Sequence, residues 1–203
     1  GEMDADRMDY LQRDSFFAGV SYGRFDQSWL LENLEHHVVD DRAYIALTQR
    51  AVFAFEDFLL SRYHMFVSVY YHYISVGFET MLARFYREAP SDFHIPSDVE
   101  AYTALDDIAL WSALRGSNNH WAQRIARREA YRRLVELNAP DQIDLVALET
   151  GLKAEGVDYF VSRDKGILSK YYRAPVQLPI YVHNRDLGST GPIQDTARIF
   201  ERY

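Results

Sequence analysis

The stretch from Gln49 to about Arg87 does most to limit the folds open to this chain. It holds no proline, and Val52, Phe55, Leu59, Tyr63, Phe66, Tyr70 and Ile74 recur at steps of three and four residues. That spacing lays an apolar stripe along an α-helix, whose residues advance by about 100° each. The stretch is long for a single globular helix, so a bend is expected within it. Arg62, Phe66 and Tyr70 fall on one line of this helix. From spacing alone, Phe66 and Tyr70 read as core and Arg62 as a surface cation.

The remaining sequence supplies shorter elements. Residues 4–18 read as a helix stopped near Gly19, followed by a loop from Ser21 to Asp26. A β-hairpin is expected about Asp40-Asp41, because Ala43, Ile45 and Leu47 alternate with their neighbours. Adjacent strand residues point to opposite faces, so His36 and His37 would not chelate one ion together. Pro90 to Pro96 break the long helix, and Ser97 or Asp98 can cap a helix reaching about Leu114. A further helix is expected from Trp121 to Leu137, carrying Arg124, Arg127, Arg128, Arg132 and Arg133; with Glu129 and Glu136 beside them, these read as a solvated face. A short helix from Asp141 to Gly151, strands at Val157 to Val161 and Pro179 to His183, and turns at Ser162 to Gly166 and Pro175 to Pro179 follow. Gly188 to Pro192 reads as a loop without the Lys-Ser/Thr of a phosphate cradle. Residues 193–203 read as a short terminal helix.

Charge and composition narrow the function classes. The 203 residues suffice for one sizeable core, and the net charge of −8 argues against nucleic-acid binding by the surface as a whole. The absence of cysteine leaves no disulfide or thiolate site and fits a reducing compartment such as the cytoplasm. No apolar run approaches the ~20 residues that would span a bilayer.

The most chemically suggestive segment is the first. On the expected helix, Asp6, Tyr10 and Asp14 share a stripe with Arg7 beside it, while Met8, Leu11 and Ser15 lie on a neighbouring face that can pack inward. Two readings stay open from spacing: a solvated, salt-bridged face, or a carboxylate and a guanidinium arranged for a metal-bound phosphate ester.

Asp4-Ala-Asp-Arg-Met-Asp-Tyr-Leu-Gln-Arg-Asp14, with Gly19-Val-Ser-Tyr-Gly-Arg-Phe-Asp26 after it, resembles the last metal-ligand segment of HD-domain phosphohydrolases. The resemblance is closest to the dGTPase-like deoxynucleoside triphosphate triphosphohydrolases. It continues in Arg62-Tyr-His-Met-Phe-Val-Ser-Val-Tyr-Tyr-His72 and, more loosely, from Trp121 to Leu137.

The resemblance implies a mostly α fold: the C-terminal half of an HD-domain-like helical core over residues 1–140. It adds a β-hairpin and a small α+β C-terminal extension over 141–203 that serves assembly into a homo-oligomer. It implies hydrolysis of a dNTP to a deoxynucleoside and tripolyphosphate with a divalent metal ion (Mg, Mn, Fe or Zn). Asp6 would be the catalytic metal ligand. Arg7 and Arg62 would bind phosphate, Tyr10 and Asp14 the sugar 3′-hydroxyl, and Tyr70 the sugar face. Phe66 stands where an animal member of the family carries a catalytic histidine. None of the seven histidines is followed by Asp. The family's other ligands, a His and a His-Asp pair, are therefore expected upstream, in an N-terminal half of the same enzyme, and these residues would be inactive alone. The alternative reading is a non-catalytic helical regulatory or assembly module of HD-like fold.

Overall fold

The computed structural model describes residues 3–137, 143–162 and 178–200. The chain divides into two compact units, one of residues 1–70 with 164–203 and the other of residues 71–163. These divisions differ from the boundary expected after residue 140.

In the first unit, helix α1 (Ala5–Phe17) buries Met8, Leu11 and Ser15, the inward face expected from their spacing. It ends at Gly19, whose φ of +69° suits a residue without a Cβ. Helix α2 (Gln27–Glu32) is capped by Asp26, whose carboxylate accepts from the Trp29 N–H at 3.0 Å. Strands β1 (Leu34–Val39) and β2 (Arg42–Thr48) form the expected hairpin. Asp40 and Asp41 turn it with φ of 49° and 59°, a conformation that Asp tolerates better than most residues. Helix α3 (Val52–Met65) buries Phe55, Phe58, Leu59 and Met65 and runs into a π-helical turn, Phe66–Tyr70.

The sheet is completed from far along the chain. Strand β3 (Tyr181–Asn184) pairs parallel with β2, and β4 (Ser189–Pro192) pairs antiparallel with β3, giving the order β1-β2-β3-β4. Leu47, Val182, Ile180 and Ile193 join Leu11, Phe55, Phe58 and Leu59 in one core. The segment Gly188 to Pro192, expected to be a loop, is instead a hairpin turn and strand. Asn184 Oδ1 accepts from the N–H groups of Asp186 and Leu187, both at 3.1 Å, and Gly188 takes φ +61°. Residues 193–200 form two 3-10 turns, Ile193–Asp195 and Arg198–Phe200, rather than an α-helix.

The second unit begins with helix α4 (Tyr73–Glu88). The Pro-free run is thus interrupted at Tyr71 and His72, where His72 adopts ψ 133°. The helix expected from residue 97 to 114 is two: α5 (Val99–Thr103) capped by Asp98, and α6 (Asp107–Gly116) capped by Asp106. Each capping carboxylate accepts a backbone N–H at 2.9 Å, so Asp106 opens a new helix where one continuous helix was read.

Helix α7 (His120–Ala126) is far shorter than expected. Arg128 takes φ 59°, and the N–H groups of Arg128 and Glu129 close back onto Ile125 and Arg124. That is a helix stop, so no arginine-bearing helical face reaches Leu137. Helix α8 (Leu145–Ala154) follows, and Val157 to Val161 form no strand. Met81, Phe85, Leu114, Trp121, Ala122 and Ile125 make this unit's core. Around it, Arg84 bonds Tyr131, Asp158 and the Tyr159 carbonyl while lying over Trp121, 4.5 Å from the ring centre. The turns expected at residues 163–166 and 175–177 lie outside the described residues. No helix among the described residues is long and apolar enough to cross a membrane.

Candidate functional site

The residues singled out in the first segment converge with those singled out in the long helix. Tyr10 of α1 meets Tyr70 edge-on, with ring centres 6.0 Å apart, and the Tyr70 hydroxyl donates to Asp14 Oδ2 at 2.7 Å. Phe66 also meets Tyr70 edge-on, with ring centres 5.2 Å apart. The π-helical turn bears on this: it carries Tyr70 at its end, where the ring reaches α1. π-turns recur at functional positions because the widened turn re-aims a side chain.

Arg62 completes the group. It is 8% exposed, the single charged side chain that is buried among the described residues. The surface role read from spacing is therefore wrong for Arg62: α3 turns it inward. Its charge reaches the Tyr10 phenol, as do those of Arg7, Asp6 and Asp14. Partial burial raises the Tyr10 pKa, the two arginines pull it down and the two carboxylates push it up, leaving it above the ordinary 10.0. Tyr70 is held far above 10.0 by burial and by its hydrogen bond to Asp14. Both phenols are therefore neutral hydrogen-bonding groups across the physiological range.

A loop fastens α1 to α3 beside this cluster. Ser15 Oγ donates to the Val20 carbonyl at 2.6 Å and accepts from the Gly23 N–H at 3.3 Å. Ser61 Oγ donates to the Arg24 carbonyl at 2.8 Å. Gly23 is required here: a Cβ on it would lie 2.1 Å from the Leu11 carbonyl oxygen. Ser15, Gly23 and Ser61 thus position the site without belonging to it. The inward face of α1 pointed to Ser15, whereas nothing in the pattern around Ser61 or Gly23 gave away their contacts with this loop.

Asp6 lies on the exposed side of α1. No group of three or more His, Cys, Asp or Glu among the described residues is arranged to hold a metal ion. Asp6 alone does not make a complete site for a hard or borderline divalent cation. Neither His36 nor His64 joins this cluster; His64 packs against Tyr63 and Tyr22.

The first unit is thus an α-helical layer on a four-stranded mixed sheet, with a cationic and phenolic cluster between α1 and α3. Residues 25–170 match the family described as HD associated region, and the chain belongs to that family. Arg62 and Tyr70 fall within the matched residues, whereas Asp6, Arg7, Tyr10 and Asp14 precede them.

Among curated relatives, the uncharacterized protein MJ1154 of Methanocaldococcus jannaschii is 34% identical over 135 residues, covering 66% of this chain and 30% of that protein. The uncharacterized protein YwfO of Bacillus subtilis is 39% identical over 88 residues, covering 43% of this chain and 19% of that protein. A phosphohydrolase from Bacteroides thetaiotaomicron superposes with a TM-score of 0.62 at 23% identity, over 97% of this chain and 56% of that one. A hypothetical protein from Aquifex aeolicus does so with a TM-score of 0.67 at 24% identity, over 100% of this chain and 52% of that one. These two likenesses show a shared fold. The chain spans a third or less of the curated relatives it matches.

Proposed function

We propose that this chain supplies part of the active site of a metal-dependent phosphohydrolase acting on deoxynucleoside triphosphates. The observation that carries the reading is the convergence of Arg7, Tyr10 and Asp14 on α1 with Arg62 and Tyr70 from α3 and its π-turn. A buried guanidinium whose charge acts on the neutral Tyr10 phenol suits a phosphorylated sugar, because arginine keeps its charge and presents a planar fork to phosphate oxygens. Membership of a family named for its association with HD domains, and likeness of fold to a phosphohydrolase, support the same direction.

In this reading Arg7 and Arg62 bind the triphosphate and offset the charge that moves toward the leaving oxygen. Tyr10 and Asp14 hydrogen-bond the 3′-hydroxyl, and Tyr70, held by Asp14 and backed by Phe66, forms the wall against the sugar. Phe66 has no proton to donate, so protonation of the leaving group is not assigned to this position. Asp6 is one donor to a divalent cation whose other protein donors lie outside the described residues. That cation would supply a Lewis acid and an activated water.

The exposure of Asp6 and the absence of a three-donor cluster among the described residues favour a second reading, a non-catalytic regulatory or assembly module of the same fold. One experiment separates them. The complete gene product is assayed for tripolyphosphate release from each of the four dNTPs, with metal content measured in parallel. Asp6→Ala should lose both metal and turnover. Unchanged metal content would remove Asp6 from the donor set, and no turnover by the metal-loaded wild type would leave the module.

A further inference from the structure

Glu35, His37 and His183 meet on the face of the sheet opposite the core, and no role has been given to them. Residues 35 and 37 alternate onto one face of β1, and the register of β1 with β2 and of β2 with β3 brings His183 onto that same face. Between them the central strand presents Ala46, paired with Glu35 on one side and Tyr181 on the other. Ala46 is small, so side chains of the two flanking strands can meet across it. His183 Nδ1 lies 2.6 Å from Glu35 Oε2, and His183 Nε2 lies 3.4 Å from His37 Nδ1.

These distances constrain the protons. The carboxylate can only accept, so in the neutral ring Nδ1 of His183 carries the proton and Nε2 presents its lone pair. Glu35 is itself held: Arg185 donates to its other oxygen, and the hydrogen bonds from His183 and Arg185 keep its pKa below the ordinary 4.5. The His37 ring rests against Tyr181, with centres 4.6 Å apart. A ligating histidine backed by a carboxylate is the common outer arrangement of imidazole metal sites. Two imidazole nitrogens on one tetrahedral ion, each at about 2.0–2.1 Å, stand about 3.3 Å apart. The observed 3.4 Å, spanned without an ion by a hydrogen bond from His37 Nδ1–H to the His183 Nε2 lone pair, is close to that spacing.

We propose that His37 Nδ1 and His183 Nε2 bind one late first-row divalent cation of the zinc, nickel or copper kind, with Glu35 orienting His183 from behind. Imidazole selects such ions over magnesium or calcium, which take oxygen donors. The side chains of His183 and Glu35 are 22% and 23% exposed, so water can fill the remaining coordination positions. His36, on the other face of β1, takes no part.

The test is a zinc titration of the purified chain followed by the ring signals of its histidines in NMR. His37 and His183 should shift together and saturate at one equivalent, with His36, His64 and His94 unmoved; magnesium should move none of them. His37→Ala and His183→Ala should each weaken zinc binding at least tenfold. Glu35→Gln, which keeps the ring in place with a poorer acceptor, should weaken it about tenfold, the lower end for loss of such a partner. His36→Ala should bind as the wild type does. The wild-type titration does not depend on any variant folding. Unmoved His37 and His183 signals at a large excess of zinc would overturn the proposal, as would equal zinc affinity in His37→Ala and the wild type.

Discussion

Gly23→Ala puts one methyl group where the structure has no room, and its cost can be worked from the contacts. The new Cβ would lie 2.1 Å from the Leu11 carbonyl oxygen and 2.8 Å from Ser15 Cβ. Leu11 sits inside α1 and is fully buried, so its carbonyl cannot swing away as a flexible side chain would. Overpacking of a tight contact costs about 1–3 kcal/mol, and a backbone neighbour places this case at the upper end. Moving the loop also strains the Gly23 N–H to Ser15 Oγ bond, worth about 1 kcal/mol. The total is about 3–4 kcal/mol, which lowers Tm by roughly 6–16 °C in a chain of this size.

The control is Gly19→Ala, where φ is +69° but nothing lies within 4 Å of the new Cβ. There only the conformational penalty applies, about 1 kcal/mol. Urea and thermal unfolding of the two variants against wild type measure the difference directly. If Gly23→Ala costs no more than Gly19→Ala, the close approach of the loop to α1 is not real, and the fastening of α1 to α3 fails with it.

Tyr70→Phe keeps the ring contacts with Tyr10 and Phe66 and removes the hydroxyl that donates to Asp14. A double-mutant cycle with Asp14→Asn should show a coupling of about 1 kcal/mol; strictly additive effects would break the pair. Arg62→Ala in the complete gene product should weaken triphosphate binding at least tenfold while leaving nucleoside binding within twofold, read by calorimetry. Equal losses for both ligands would give Arg62 a folding role instead. In the second unit, burial raises the Asp158 pKa, but hydrogen bonds from Tyr131 and Arg84 and the charges of Arg84 and Arg124 outweigh it, leaving it below 3.8. A depressed folded-state carboxyl stabilises above its unfolded pKa and loses that contribution as pH falls through the folded value. Stability should therefore drop below about pH 4, and Asp158→Asn should flatten that part of the acid curve. The partner phenol, Tyr131, is pushed up to about 12 by burial and by Asp158, so alkali below that pH should leave the pair intact.

Local patterns made several elements readable from the residues. The helix over α1, its buried Met8, Leu11 and Ser15, and its stop at Gly19 all follow from spacing and from one residue without a Cβ. The β1–β2 hairpin follows from alternation about two aspartates that accept positive φ. The stripe of Arg62, Phe66 and Tyr70 was visible as well, because residues four apart share a helix face whatever surrounds them.

Other features depend on partners far away in the chain, which no local pattern encodes. The arginine-rich segment after Ala126 is not helical: Arg124 lies over Tyr131 and within 4.0 Å of Asp158, while the backbone turns at Arg128. Arg62 is buried on the side of α3 that also buries Phe55, Phe58 and Leu59, and its charge acts on Tyr10 of α1, a residue distant in the chain. His37 meets His183 only through the parallel pairing of β2 with β3, across a separation of 146 residues. Spacing along a chain specifies which side chains share a face, since that is set by backbone geometry within a few residues. Which face meets which is set by the shared burial of apolar surface, and that exists only once distant elements have packed.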